Sequence, residues 1–312
     1  MAAYGLTAAA LVPLSGGVQN SVWRVDTSGG AFALKRHESR EPAHILNTIE
    51  VQQAAHASGV PTPQLVPNAL GDTITLADGR AFVLSRFVPG RLYEPGAIPA
   101  RAARRMGEVL GGLHGALETL SAGETPSLPS LEDIEALLRS LLTEAQARRG
   151  DPVDEIAEGV LEAKLDLLAS IEAVPPLTLQ WTHGDYEWRN VLFDDSDDVA
   201  AVIDFDEAAY YHPARDVMRC IALSFPNLEA EAYEFFAGYA SVVRLGPDRA
   251  REYVEFYRYI STFRVWPIRN RYQAPERYQS RWDDLIQPFI AWDWDALSGR
   301  LAGIADELDR YS

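Results

Sequence analysis

Two aspartates and an asparagine follow one another in an order that suits phosphate chemistry. Asp185 stands in a polar segment, Asn190 follows shortly after it, and Asp204 comes next, after a short apolar stretch. Carboxylate and amide oxygens are ligands that magnesium prefers, and a further carboxylate can accept the proton of an attacking hydroxyl. The order therefore predicts phosphoryl transfer, with Asp185 as the base and Asn190 and Asp204 as metal ligands.

A predicted hairpin brings two of these residues together. Residues 190–193 and 199–204 have the composition of short strands around an acidic turn, residues 194–198. Because a tight hairpin returns its ends to the same place, Asn190 and Asp204 should be neighbours. The acidic turn itself resembles a metal site, but its position between two apolar strands favours a solvated turn. We interpret His183 as a buried imidazole that holds the loop rather than as a catalyst.

The elements that must position these residues fall into two groups. The first third of the chain predicts strands at residues 18–25, 31–35, 73–76 and 81–87, and a helix at residues 42–58. After residue 90, apolar residues recur at spacings of three and four, which is typical of amphipathic helices. The expected fold class is α+β. A small antiparallel sheet with one helix would form an N-terminal nucleotide-binding lobe, residues 1–88. A large, mainly helical catalytic and acceptor-binding lobe would follow, residues 89–312.

Composition limits the partners of the chain. The net charge of −17 over 312 residues argues against a nucleic-acid partner, which needs a basic surface, and is compatible with an amine-bearing small molecule. No apolar run approaches the length of a membrane span, so we expect no membrane partner. The single cysteine, Cys220, lies in an apolar segment and suits a reducing cytoplasm.

The chain resembles the aminoglycoside phosphotransferase and choline kinase superfamily, the small-molecule relatives of protein kinases with a two-lobed fold. The resemblance rests on His183-Gly184-Asp185 with Asn190, and on Ile203-Asp204-Phe205. Other segments resemble family features in the same order: the nucleotide loop (15–25), the lysine strand (32–35), the hinge (82–90) and the first large-lobe helix (110–114).

The resemblance implies roles for further residues. Lys35 would bind the ATP phosphates, and Glu50 would pair with Lys35, although Glu41 is an alternative partner. Asp216 would brace the catalytic loop. The remaining nucleotide-binding residues would be Gly16, Gly17 and Asn20 in the loop, backbone groups of Arg86 and Val88 at the adenine edge, and Leu192 and Ile203 around the ring.

The expected acceptor is the hydroxyl of a small molecule. Pro213 follows Asp204 too closely for the peptide-binding platform of protein kinases. The family includes kinases of amino alcohols such as homoserine and choline, of aminoglycosides and of sugars. The candidate acceptor-binding residues are Glu187, Trp188, Asp206 and Glu207. Aromatic residues of the C-terminal third are interpreted either as an ammonium cage or as core packing. A protein kinase and a catalytically silent nucleotide-binding module are the alternative functions.

Overall fold

The computed structural model describes residues 1–14, 20–38, 42–148, 150–276, 278–286 and 292–310, without the side chains of residues 42, 281 and 282. The strands are β1 (Ala8–Leu14), β2 (Ser21–Thr27), β3 (Gly30–His37), β4 (Leu65–Val66), β5 (Ile74–Ala77), β6 (Arg80–Arg86), β7 (Gln180–Thr182), β8 (Val191–Phe193), β9 (Val199–Val202) and β10 (Ala209–Tyr211). The helices are α1 (Pro42–Ala57), α2 (Ala100–Leu117), α3 (Leu131–Ala147), α4 (Pro152–Ala169), α5 (Ala214–Ser224), α6 (Ala230–Val243), α7 (Pro247–Phe263), α8 (Trp266–Gln273) and α9 (Trp294–Arg310). The predicted α+β class is confirmed.

The N-terminal strands form one antiparallel sheet. Its order is β1-β2-β3-β6-β4, and β5 also pairs with β6. The β5–β6 turn is made by Asp78 and Gly79, both with positive φ, which is the conformation of the tightest hairpin turns. Helix α1 covers one face, where Ile45 and Ile49 pack with Val83. Strand β1 was not predicted, because all its residues are exposed and show no alternating pattern.

Helices α2 and α6 pack with their backbones in close approach. A Cβ on Gly107 of α2 would lie 1.9 Å from the Phe235 carbonyl oxygen, and a Cβ on Gly238 of α6 would lie 2.2 Å from the Arg104 carbonyl oxygen. Real Cβ atoms do not approach oxygen so closely, so only glycine permits this packing. The pair forms part of the support behind the loop that follows β7, because Tyr186 in that loop donates a 2.8 Å hydrogen bond to the Met106 carbonyl.

The chain forms two compact units. The first combines Met1–Glu124, Leu179–Leu245 and Leu308–Ser312, and the second combines Thr125–Thr178 and Gly246–Glu307. The antiparallel sheet, the β8–β9 hairpin and the loop after β7 all belong to the first unit. The division into lobes at residues 88 and 89 stays a prediction. In the part of the chain that the structure describes, no helix combines the length and apolar character required to cross a membrane.

The second unit buries several aromatic residues of the C-terminal third, whereas Trp266 is 45% exposed. Tyr259, Tyr272 and Trp294 are buried, as the core-packing interpretation expects. Arg271 is bound by three carboxylates, with its nitrogens 2.6 Å from Asp154, 2.7 Å from Asp151 and 3.0 Å from Asp283. We therefore read this cluster as a structural ion-pair network that joins the start of α4 to α8.

Gly107→Ala should lower the free energy of unfolding by about 3 kcal/mol, because the helix backbones must separate to admit the methyl group. Gly112 and Gly115 lie on the same helix with open space around them, so Gly112→Ala and Gly115→Ala should be neutral or stabilising by up to about 1 kcal/mol. Urea denaturation of the three variants measures the difference. Equal effects at the three positions would contradict the close approach.

Lys164 should make the stability of the protein depend on pH above neutrality. Its ammonium is buried and donates to the Ser261 carbonyl at the end of α7. Burial, with a smaller contribution from Arg264, lowers the pKa of Lys164 to about 8. The unfolded chain therefore binds more protons above that pH, and stability rises as pH increases toward the ordinary lysine pKa.

A Lys164→Met variant isolates this effect. The stability of the wild type minus that of Lys164→Met should increase by up to about 3 kcal/mol between pH 7.5 and about 10.5. Denaturant titrations of both proteins across that range give the difference directly. Parallel curves would show that the lysine titrates normally in the folded protein.

Candidate active site

A buried carboxylate fixes the start of the candidate catalytic loop, the segment between β7 and β8 that carries Asp185. Strand β7 leads into His183 and Gly184, whose backbone N–H groups donate to Asp216 at 2.7 and 2.8 Å. His114 Nε2 donates to the same carboxylate at 3.2 Å. Burial alone would raise the pKa of Asp216, but the hydrogen bond and charge of His114, together with contributions from His183 and Arg215, outweigh it, and the net pKa is lowered. The brace implied for Asp216 is present in the structure.

Gly184 has no alternative at its position. Its φ is +82°, and a Cβ would lie 1.8 Å from the Glu207 carbonyl oxygen. The loop after β7 and the loop after β9 therefore touch through this glycine. Strand β7 precedes the first of these loops and strand β10 follows the second. The two strands pair antiparallel, with Thr182 opposite Ala209.

His183 links the loop of Asp185 to the loop of Asp204. Its Nδ1 accepts a 3.2 Å hydrogen bond from the Asp185 backbone N–H. The proton must then lie on Nε2, which donates to the Ile203 carbonyl at 3.0 Å. The imidazole is fully buried. It holds the two loops in place, as the sequence interpretation expected.

The β8–β9 hairpin brings Asn190 and Asp204 together. Val191 pairs with Val202, and the Ile203 N–H donates to the Asn190 carbonyl at 2.9 Å. Asp204 follows with φ 65° and ψ 65°, a left-handed conformation that is uncommon outside glycine. The backbone turns sharply there, and the Asp204 carboxylate faces Lys35, which belongs to the sheet.

Asn190 is oriented by the residue predicted as the base. Its Nδ2 donates to the Asp185 carbonyl at 2.7 Å and to the Asp185 Oδ2 at 3.0 Å. With the amide nitrogen bound in this way, the Asn190 Oδ1 is the side-chain atom left to act as a ligand. Asp185, Asn190 and Asp204 therefore lie in one cluster.

Lys35 reaches this cluster from β3. Its Nζ lies 2.6 Å from Asp204 Oδ1 and 2.7 Å from Asp206 Oδ2. Burial by itself would lower the pKa of Lys35, but the two carboxylates outweigh it and the pKa is raised. Burial would likewise raise the pKa of Asp204, but the charge of Lys35 outweighs it and the pKa is lowered. Both groups are charged at neutral pH.

The structure corrects the predicted partner of Lys35. Glu50 is exposed on α1, and no contact joins it to Lys35 among the described residues. The alternative, Glu41, lies outside the described residues. Asp206 occupies the place beside the ammonium instead, since the turn Phe205–Glu207 directs its side chain toward the sheet.

Asp206 was predicted to contact the acceptor, and the structure gives it other neighbours. Asn20 Nδ2 donates to its carboxylate, and His37 Nδ1 lies 3.9 Å from the same group. His44 of α1 donates to its carbonyl oxygen at 2.9 Å. Asp206 is 12% exposed, whereas Asp204 is 46% exposed. Asn20, the sheet and α1 therefore converge on Asp206.

The candidate adenine-binding residues lie where the chain leaves β6. Arg86 donates its backbone N–H to Gln64 at 2.8 Å, so only its carbonyl can serve a ligand. Val88 follows, and a Cβ on Gly90 would lie 2.9 Å from the Leu192 Cβ. The hairpin register places Leu192 and Ile203 on one face, both half-buried. Of the predicted loop residues, Gly16 and Gly17 lie outside the described residues.

Two charged residues of the site were not predicted in these roles. Arg219 of α5 places its Nη2 2.5 Å from Asp185 Oδ1. Arg189 binds Glu187 Oε1 through Nε at 2.7 Å and Nη2 at 2.5 Å. Burial raises the pKa of Glu187, against the opposing charges of Arg189 and Arg219. The sequence could have indicated that Arg219 lies at the site, because residues 216 and 219 share one face of a helix and Asp216 was expected to brace the loop of Asp185.

The other predicted acceptor residues are Trp188, which follows Asp185 closely in the chain, and Glu207, which follows Asp204. Trp188 donates its backbone N–H to Ser224 Oγ at 3.0 Å, and the Arg189 guanidinium lies 5.4 Å from its ring centroid. Glu207 is half-buried, 3.9 Å from an Arg215 nitrogen.

The acidic turn at residues 194–198 is ion-paired, since Asp197 contacts Arg91 and Asp198 lies 2.6 Å from Arg105.

Comparison with known proteins agrees with this geometry. Residues 10–253 match the model of the phosphotransferase enzyme family. The chain belongs to that family. The predicted resemblance is therefore confirmed, and this family member is a small-molecule phosphotransferase.

The sequence identity between this chain and individual relatives is low. This phosphotransferase is 28% identical over 239 residues to a homoserine kinase of Granulibacter bethesdensis, covering 75% of this chain and 70% of the relative. An aminoglycoside phosphotransferase of Alicyclobacillus acidocaldarius shares the fold at a TM-score of 0.66 and 17% identity, covering 99% of this chain and 94% of that one. A spectinomycin phosphotransferase in complex with ADP and spectinomycin gives 0.60 and 14%, covering 98% and 95%.

Asp206→Asn in this phosphotransferase should raise the dissociation constant of ATP by at least about 10-fold, because the Lys35 ammonium loses its more buried carboxylate. Glu50→Gln, which removes the originally expected partner, should change it by less than about 2-fold. Calorimetric titration with ATP and magnesium measures both constants. A weaker complex in Glu50→Gln than in Asp206→Asn would restore Glu50 as the anchor.

Proposed function

We propose that the protein is an ATP- and magnesium-dependent kinase that transfers the γ-phosphate to a hydroxyl of a small molecule. The observation that carries the proposal is the single cluster made by Asp185, Asn190, Asp204 and Lys35. Three of these side chains come from the catalytic loop and the hairpin, and the fourth comes from the sheet. An isolated aspartate or lysine has many structural uses, whereas this set has the parts that phosphoryl transfer needs.

The residues of the site have different roles in the proposed reaction. Asp185 accepts the proton of the acceptor hydroxyl and orients that oxygen for in-line attack. Lys35 binds phosphate oxygens of the nucleotide, and Asp206 keeps its ammonium in position from the buried side. His183 and Asp216 hold the loop, which limits the motion of Asp185 relative to Asp204. Transfer then depends on positioning and charge more than on covalent chemistry.

The donor set fits magnesium. Asn190 offers an amide oxygen and Asp204 offers a carboxylate that is 46% exposed, which matches the preference of magnesium for one or two protein oxygens with phosphate and water. Asn190 is also fixed by its bonds to Asp185, so its ligand atom is oriented in advance. When bound, the metal would offset negative charge on the phosphates.

The nucleotide would lie between the sheet and the β8–β9 hairpin, within the first compact unit. The Arg86 carbonyl and the Val88 backbone would meet the adenine edge, and Leu192 and Ile203 would cover the ring. Gly16, Gly17 and Asn20 would complete the phosphate side. The ADP complex of the spectinomycin phosphotransferase supports a nucleotide donor in this fold. Residues 1–88 would act as the nucleotide-binding lobe and residues 89–312 as the catalytic and acceptor-binding lobe.

The acceptor would approach Asp185 from the side of the catalytic loop. Trp188, close to Asp185 in the sequence, and Glu207, close to Asp204, would flank that approach. The buried Glu187 would support it from below the surface. The relatives act on homoserine and on aminoglycosides, and both kinds of molecule carry hydroxyl and amine groups. An amino alcohol of the homoserine or choline type, an aminoglycoside and a sugar are the acceptor classes to test.

Asp185→Ala and Asp204→Ala should retain the fold but lose at least about 10³-fold of phosphoryl transfer, because one removes the base and the other a metal ligand. Asp195→Ala, at a fully exposed carboxylate in the acidic turn, is the matched control and should remain near wild type. Phosphate transfer from radiolabelled ATP to an acceptor panel, with and without EDTA, measures the loss.

Each alternative function has its own result in this assay. Turnover near wild type in purified Asp185→Ala, with contaminating kinases excluded, would refute the assignment of the base. Magnesium-dependent ATP binding without transfer to any acceptor would indicate a silent nucleotide-binding module. Label in protein rather than in small molecules would indicate a protein kinase.

A further inference from the structure

The two oxygens of Asp185 face different neighbours. Oδ2 accepts from Asn190, on the side where the nucleotide and metal would bind. Oδ1 lies 2.5 Å from the Arg219 guanidinium, on the side of α5. If Asp185 is the base, the acceptor hydroxyl must come within hydrogen-bond reach of this carboxylate. Because Asn190 occupies the nucleotide side, Arg219 marks the side from which the acceptor approaches.

Arg219 cannot leave Asp185 without a replacement for its charge partner. Its side chain is only 18% exposed, and a poorly solvated guanidinium without a counter-ion is costly. Glu187 attracts it, but Glu187 already binds Arg189 through Oε1. If an acceptor hydroxyl takes the place of Arg219 at Asp185, a negative group on the same acceptor would restore a counter-charge to the guanidinium.

Resting on the kinase function proposed above, we propose that Arg219 is a carboxylate-binding residue of the acceptor site, and that the acceptor is a small hydroxy acid. In the unliganded protein, Asp185 stands in for the acceptor carboxylate. When acceptor binds, the guanidinium transfers to that carboxylate and Asp185 becomes available to the hydroxyl. An arginine suits this exchange because its planar fork matches a carboxylate.

The geometry also limits the size of the acceptor. A hydroxyl lies about 2.7 Å from the carboxylate that accepts its bond, and a carboxylate oxygen lies about 2.8 Å from a guanidinium nitrogen. With the guanidinium nitrogen at its resting distance of 2.5 Å from Asp185, the acceptor's hydroxyl and carboxylate oxygens would be at most about 8 Å apart, and any shift of the guanidinium during the exchange adds to this limit. A hydroxy acid with a few carbons, such as a hydroxy amino acid, meets this limit. The homoserine kinase relative acts on an acceptor of this class.

Glu187 acts through Arg219 as a positioning residue. Its side chain is 2% exposed, and its Oε2 has no hydrogen-bond partner among the described residues. A carboxylate in this position keeps Arg219 near the base while the guanidinium changes partners. The acceptor does not reach Glu187, because Oε2 is buried.

The test compares L-homoserine with 3-amino-1-propanol, which is the same molecule without the carboxylate. We expect the wild type to prefer homoserine by at least about 100-fold in kcat/KM. Arg219→Gln should lose most of that preference through a higher KM for homoserine. It should also raise kcat/KM for aminopropanol, because no guanidinium then occupies Asp185 when the acceptor has no carboxylate, and it should leave the KM for ATP unchanged. Arg219→Lys should recover part of the preference, since it keeps the charge without the fork.

Arg139→Gln, on the exposed face of α3 and paired with Glu135, is the charge-matched control and should behave as wild type. Thermal melts confirm that each variant is folded, and Arg219→Lys carries the test if Arg219→Gln is not. The proposal is overturned if the wild type phosphorylates aminopropanol, aminoglycosides or sugars in preference to hydroxy acids. A raised KM for ATP in Arg219→Gln, which would place the arginine on the nucleotide, overturns it as well. In those cases transfer itself still occurs and the kinase function stands, whereas the absence of ATP-dependent transfer to any acceptor would refute that function.

Discussion

A carboxylate that is fully buried must be met by hydrogen bonds or positive charge, and Asp216 meets this condition with the backbone of the catalytic loop. Two successive N–H groups and the imidazole of His114 surround it. Since Asp216 belongs to α5, these bonds attach the loop to a helix rather than leaving it as a free connection. The same helix carries Arg219 one turn later, so the position of α5 determines both the path of the loop and the charge beside Asp185.

The second constraint is the placement of Lys35 between two carboxylates of unequal exposure. Asp206 is nearly buried and is held by Asn20 and by residues of the sheet and α1, whereas Asp204 is far more open. A lysine needs a permanent counter-charge when little water reaches it. The more buried carboxylate supplies this, so the ammonium keeps a counter-charge if the exposed carboxylate, which also contacts it, binds a ligand. In this protein the partner of the lysine therefore comes from the same turn as the proposed metal ligand, and not from the helix.

The two apolar segments around the acidic turn were enough to predict the hairpin that joins Asn190 to Asp204, because a short apolar hairpin has few ways to fold. The composition and periodicity of the first third of the chain also predicted β3 and α1 closely. The anchor of Lys35 could not be predicted in this way. Glu50 has the expected place in the chain, but its side chain points to solvent, and a rotation about the helix axis is not encoded in a spacing. Asp206 depended on the left-handed turn at Asp204, which no composition rule identifies. Strand β1 was missed because both of its faces are exposed.

Two neighbouring side chains fix the orientation of the Asp185 carboxylate. Asn190 and Arg219 each contact a different oxygen of it, so the side chain is held from two directions and cannot rotate freely. A base held in this way is oriented before the substrates arrive, which lowers the entropic cost of reaching the transition state. While the guanidinium contacts Oδ1, that oxygen is less available to an acceptor hydroxyl. An acceptor that does not draw the arginine away would find Asp185 partly occupied, so the site would select for acceptors that carry a carboxylate.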